Sequence, residues 1–90
     1  MKLKNKQKNL IEVMVSINAD KKLLENFLID LLTPVEYAEI NRRWEIIKML
    51  NKKIGQREVS KKLGVGIATV TRGARMLKNK KGGFAQVLKK

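Results

Sequence analysis

The residues best suited to chemistry in this 90-residue chain lie in one stretch, "QREVSKKLGVGIATVTRGARMLK", from Gln56 to Lys78. Ile67, Ala68, Thr69 and Thr71 are small enough to lie deep in a major groove. Their hydroxyls suit phosphates or base edges, and their methyls suit thymine. Arg57 can reach a guanine edge, while Gln56, Lys61, Lys62 and Lys78 suit phosphate contacts that set the register. Ser60 is small where two helices must cross closely, and it joins the candidate DNA contacts. This is the chemistry of recognition. Catalysis is not expected, because the chain has no histidine and no cysteine. Ser16 and Ser60 stand on helical stretches without a candidate base, and no metal-ligand cluster or phosphate-cradling glycine loop is present.

Two short helices must position these residues. Val59, Leu63, Val65 and Val70 are apolar where such helices would meet across a tight turn. Gly64 can take the left-handed conformation that the turn demands. The pattern is that of a helix-turn-helix; a plain αα-hairpin in a bundle is the alternative. Within the second helix, Ile67 to Leu77, Gly73 stands where a glycine costs roughly 1 kcal/mol against alanine. Whatever the helix touches there needs a missing side chain, and Arg72 directly before it is aimed at DNA, at something smaller or at nothing.

The rest of the chain reads as helical. Leu10, Ile11, Val13, Met14 and Ile17 give one apolar face. Asp20 is a suitable N-cap for "KKLLENFLIDLL", whose stripe is Leu23, Leu24, Phe27, Leu28, Leu31 and Leu32. "TPVE" is the clearest start signal: Thr33 as N-cap, Pro34 at N1 and Glu36 at N3 complete a capping box. It opens a long helix to about Asn51, with Ile40, Trp44, Ile47 and Leu50 as expected core and Ile46 on a flank. "FAQVLKK" ends the chain as a short helix or a frayed tail.

Charge separates along the chain. Lysine and arginine number 21 against 8 acids, net +13. Residues 1–47 carry a net +1, and residues 48–90 carry +12 with Glu58 as their single acid. This segregation argues for a polyanionic partner, duplex DNA before an anionic membrane. A basic RNA-binding protein is a weaker reading, since the only aromatics are Phe27, Tyr37, Trp44 and Phe84 and single-strand recognition favours aromatic platforms. No stretch reaches transmembrane length and no signal cleavage site follows "LIEVMVSI", so a soluble, cytoplasmic, nucleoid-associated protein is expected. A chain this small is marginal alone, and its apolar helices need a partner surface.

The segment "LLTPVEYAEINRRWEIIKML…GQREVSKKLGVGIATVTRGARMLK" resembles the Trp repressor superfamily over about Leu31 to Lys78. "LLTP", "QRE" and above all "GIATVTRG" carry the resemblance. It implies an all-α, intertwined helical homodimer with a helix-turn-helix reading head in each chain. On that reading residues 1–90 are one domain, with dimerisation helices over 1–51, the helix-turn-helix over 56–78 and a basic C-terminal segment over 79–90. The implied target is a pseudo-palindromic operator with half-sites about one helical turn, roughly 34 Å, apart.

The resemblance also implies L-tryptophan as corepressor, with no cofactor otherwise required. Arg72 would hold the ligand carboxylate and cover one indole face, Arg43 would stack on the other, and Thr33 would lie near the carboxylate. Gly73 would let the ring approach the helix backbone. Three departures bear on that pocket. Met76 stands where the family has a serine that helps hold the ligand ammonium. One residue is missing between the long helix and "GQRE". Asp30 replaces an apolar residue. "RRWEIIKML" and "KKGGF" are more similar to the YerC/YecD-like branch, for which tryptophan is not assumed. A repressor with a tryptophan-like effector and one of the same architecture without an effector both stay open.

Overall fold

The computed structural model describes residues 5–89, with side chains from Asn9 onward. The lysines at 2 and 4 and the terminal Lys90 of the basic segment lie outside the described residues. All regular structure among the described residues is helical: α1 (Asn5–Ser16), α2 (Lys21–Leu31), α3 (Pro34–Asn51), α4 (Gln56–Leu63), α5 (Ile67–Lys78) and α6 (Gly83–Lys89). The chain forms two compact units that divide inside α3, between Tyr37 and Ala38.

In the first unit the caps are where the sequence puts them. The Asp20 carboxylate accepts from the Leu23 amide at 3.1 Å and starts α2. The Thr33 amide donates to Glu36 Oε1 at 2.9 Å, and the Glu36 amide donates to Thr33 Oγ1 at 3.2 Å. This reciprocal box satisfies two donors that the helix itself cannot pair. Much apolar surface of α1 and α2 stays exposed, while Met14, Leu24, Phe27 and Leu28 are half-buried. Leu10, Ile11, Val13, Val15, Leu23, Ile29 and Leu31 are all exposed.

The second unit holds the buried core. Val59 of α4 and Val70 of α5 are fully buried, and they cluster with Ile46 of α3. Met49, Leu50, Ile54, Leu63 and Val65 pack against that cluster. Burial of this kind contributes about 1.5–3 kcal/mol for each large aliphatic side chain. The core of α3 differs from the sequence expectation. Ile46 and Ile47 are its buried residues, whereas Ile40 is 39% exposed. The reason is the line of approach of α5. A methyl group added at Gly73 would stand 3.2 Å from Ile46 Cγ2, 3.3 Å from Ile47 Cδ1 and 3.9 Å from Leu50 Cδ1. The buried stripe is therefore centred where α5 comes closest, toward Ile46, and Ile40 lies before that contact.

Past the turn at Gly82, Phe84 of α6 meets Trp44 of α3 with ring centroids 6.1 Å apart and planes tilted by 36°, within the range of favourable aromatic pairs. An open groove of about 530 Å3 lies among the ends of α3, α5 and α6. Leu50, Leu77 and Leu88 form its apolar floor, and Lys53, Lys78, Lys80 and Lys89 stand around it.

Two expectations arise from this packing. The Thr33 backbone N–H, and after it the Thr33 side chain, hold the Glu36 carboxyl below its ordinary pKa of 4.5. A carboxyl lowered by folding stabilises the fold above its unfolded pKa and loses that contribution as pH falls through the folded one. The box is thus closed at neutral pH and opens below 4.5. In an acid titration followed by NMR, the Thr33 amide should shift with a midpoint below 4.5, and Glu36→Gln should abolish the transition. A midpoint at or above the ordinary value contradicts the box.

Gly73→Ala sets a helix-propensity gain of roughly 1 kcal/mol against overpacking of about 1–3 kcal/mol. Ile46 Cγ2 is fixed by its own branched Cβ and is buried, so overpacking wins. A net loss of about 0–2 kcal/mol in urea unfolding is expected, with Gly73→Val losing far more. A clear stabilisation by alanine would mean that α5 does not approach α3 this closely.

Candidate nucleic-acid interface

The α4–turn–α5 unit is built from the inside outward. Val59 and Val70 face inward, so the opposite faces of both helices must face solvent. Gly64 ends α4 with φ +65°, a conformation in which a Cβ is strained. The amides of Gly64 and Val65 both donate to the Ser60 carbonyl. Ser60 Oγ donates to the Val65 carbonyl at 2.5 Å. The half-buried Ser60 hydroxyl therefore closes the turn, and its proton is held inside the motif. Gly66 precedes α5 without a side-chain cap, which leaves the first N–H groups of α5 to water or to an anion.

The remaining candidate DNA contacts form the outer surface of this unit. Gln56, Arg57, Lys61, Ile67, Ala68, Thr69, Thr71 and Lys78 are all exposed. Ion pairing sorts the cations nearby. Lys62 pairs with Glu58 at 3.4 Å, and Lys48 pairs with Glu45 at 2.7 Å. Among the described residues, Arg57, Lys61, Arg72 and Lys78 make no ion pair. Lys62, a phosphate candidate by sequence, is the partly neutralised one. Its pair is solvent-exposed and weak, so it lowers the local charge without locking the side chain.

One hydrogen bond ties the two helices together on this surface. Thr71 Oγ1 donates to Gln56 Oε1 at 2.8 Å. It joins two candidate contacts that stand 15 residues apart. Arg75 was missed by the sequence reading. It is exposed, one turn beyond Thr71 and two beyond Ala68, and so shares their face. The helical period from Ala68 was the signal that could have found it.

The residues implied for a ligand are distributed differently. Thr33 lies in the first unit, with both its amide and its hydroxyl engaged by Glu36. Arg43, Arg72 and Gly73 lie in the second unit. Arg43 pairs with Glu39 at 2.9 Å along α3. Arg72 is exposed on α5, and Gly73 faces α3 with Ile46 and Ile47 in the space before it. Met76 is 43% exposed. No cluster of three or more potential metal-ligating side chains occurs among the described residues. None of the described helices is long and apolar enough to cross a membrane.

The chain is similar to known proteins. The family model described as Trp repressor protein matches residues 5–90. A Trp operon repressor homolog of Vibrio campbellii is 38% identical over 68 residues, covering 74% of this chain and 68% of the relative. One from Mannheimia succiniciproducens is 42% identical over 67 residues, covering 73% of this chain and 66% of the relative. One from Haemophilus influenzae is 32% identical over 84 residues, covering 92% and 83%. Against the first two, the matched stretch spans about two thirds of the relatives' own length. No solved structure matches significantly. The all-helical fold, the helix-turn-helix with its exposed basic face and the family match point the same way: the chain belongs to the Trp repressor protein family, and with it to the DNA-binding transcriptional repressors rather than to the enzymes.

Proposed function

We propose that the chain works as a homodimer in which residues 1–51 join the two copies, residues 56–78 read duplex DNA and the segment 79–90 adds positive charge. The observation that carries this reading is the exposed face of α4 and α5, where Arg57, Lys61 and Lys78 lack ion-pair partners while the opposite face is anchored by two fully buried valines. The N-terminal half of α5 enters the major groove, with Ile67, Ala68 and Thr69 against base edges. Arg57 reads a guanine, and Lys61, Lys78 and Arg75 meet phosphates. Gln56 and Thr71 complete the contact, and Ser60 shapes the turn beneath it. Two reading heads in one dimer imply a pseudo-palindromic operator with half-sites about one helical turn apart. The uncovered apolar residues of α1 and α2, and the groove beside α6, supply surface that a second copy can bury. A DNA partner makes the cytoplasmic nucleoid its working place.

Two readings of control remain. In one, L-tryptophan or a related amine-carboxylate sits at Arg43, Arg72 and Gly73. In the other, the same architecture binds DNA with no effector. The second is favoured by one observation: Ile46 and Ile47 already occupy the space before Gly73. Met76 and the resemblance of "RRWEIIKML" and "KKGGF" to the YerC/YecD-like branch agree with it.

Gel-shift titration on a duplex selected from a random pool tests both levels. Arg57→Ala should cost about 1–3 kcal/mol on the selected duplex and little on random DNA. Lys61→Ala should weaken both alike and flatten the salt dependence by about one phosphate contact. An equal loss on both duplexes for Arg57→Ala would make it a phosphate contact only. An unchanged salt slope for Lys61→Ala would remove that residue from the backbone contacts.

Saturating L-tryptophan should leave the affinity unchanged on the favoured reading. A ligand acts only through differential affinity for two states, so a tenfold or greater tightening would establish the corepressor reading instead.

A further inference from the structure

We propose that Thr71 acts on DNA through Gln56, as a positioning residue that turns the Gln56 amide into a fixed hydrogen-bond donor. The inference rests on the reading of α4–α5 as the DNA-binding face. A threonine hydroxyl has one proton, and here it goes to Gln56 Oε1 at 2.8 Å. While that bond stands, Thr71 offers DNA only lone pairs, which phosphate oxygens and most groove-edge atoms repel. The Gln56 carbonyl is equally engaged, so the amide N–H2 is what the glutamine has left to present outward. Duplex DNA offers an excess of acceptors, on phosphates and on base edges. A glutamine held carbonyl-inward therefore meets the duplex with the correct polarity.

The placement of the two residues supports this. Gln56 is the first residue of α4, and Thr71 stands one turn inside α5, so the bond crosses between helices at their exposed side. Gly55 gives α4 no side-chain cap, which leaves unpaired N–H groups beside Gln56. That end of the helix carries partial positive charge and favours an anion there. A long glutamine side chain loses rotamer freedom when ordered. The Thr71 bond orders it before DNA arrives. The bond is exposed to water, so it contributes little to the stability of the fold.

The test is a double-mutant cycle on the full chain, read by gel shift with a duplex selected from a random pool and with a random duplex. Thr71→Val keeps the shape and removes the hydroxyl. Thr71→Val and Gln56→Ala should each weaken binding roughly threefold to tenfold, the range for one hydrogen bond. The double variant should bind no more weakly than Gln56→Ala alone, and Thr71→Ser should restore wild-type affinity. Thermal midpoints should match the wild type for all four proteins. A loss on both duplexes assigns the acceptor to a phosphate, and a loss on the selected duplex alone assigns it to a base edge; either supports the proposal. If Thr71→Val costs as much in the Gln56→Ala background as in the wild type, Thr71 meets DNA by itself and the proposal is overturned. If Gln56→Ala weakens binding and Thr71→Val does not, the lock alone fails. If Gln56→Ala binds like the wild type, the placement of Gln56 on DNA fails as well.

Discussion

Val59 on α4 and Val70 on α5 are completely buried, and they meet Ile46 on α3 in the same cluster. The α4–turn–α5 unit depends on this contact. Short helices of 8 and 12 residues are not stable by propensity alone. They hold their shape because two branched aliphatic side chains are taken fully out of water against a third helix. The glycine at 73 serves the same contact, since it lets the backbone of α5 come within a side chain's thickness of Ile46 and Ile47. Ser60 and Gly64 then close the turn so that both valines can reach the cluster at once.

Everything outward-facing on α4 and α5 follows from what faces inward. Once Val59 and Val70 are committed to the core, the helical period sends Arg57, Lys61, Ala68, Thr71 and Arg75 to solvent together, and Gln56, the first residue of α4, is exposed and bonded to Thr71. The few acids nearby do not cancel this surface. Glu58 lies one turn from Lys62, Glu45 lies beside Lys48, and both pairs run along their own helices. Local pairing of this sort neutralises particular lysines and leaves the rest available to a polyanion. The face is therefore both structurally fixed and electrostatically open, which suits a protein that must dock on a rigid, highly charged duplex.

Apolar surface is distributed unevenly in the same way. The fully buried side chains belong to the second unit, while α1 and α2 keep most of their large aliphatic residues exposed. Amphipathic helices with uncovered stripes have not finished burying what their sequence supplies. A second copy is the simplest surface to complete them, and it would relieve the marginal stability expected of so short a chain.

Much of this could be read without coordinates. The caps at Asp20 and Thr33, the helix ends at Asn51 and Leu63, the left-handed Gly64 and the helix-turn-helix itself are local matters, decided by residue type within one or two turns. The segregation of charge is likewise a property of the sequence. The tertiary structure decided what local pattern cannot. Ile46 rather than Ile40 became the centre of the α3 core, because the line along which another helix approaches is not encoded in the period of α3 alone. Gly73 proved to be packed against two isoleucines, a question that composition left open in both directions. The bond from Thr71 to Gln56 crosses 15 residues and two helices. Its existence depends on how those helices cross, and only the folded chain sets that.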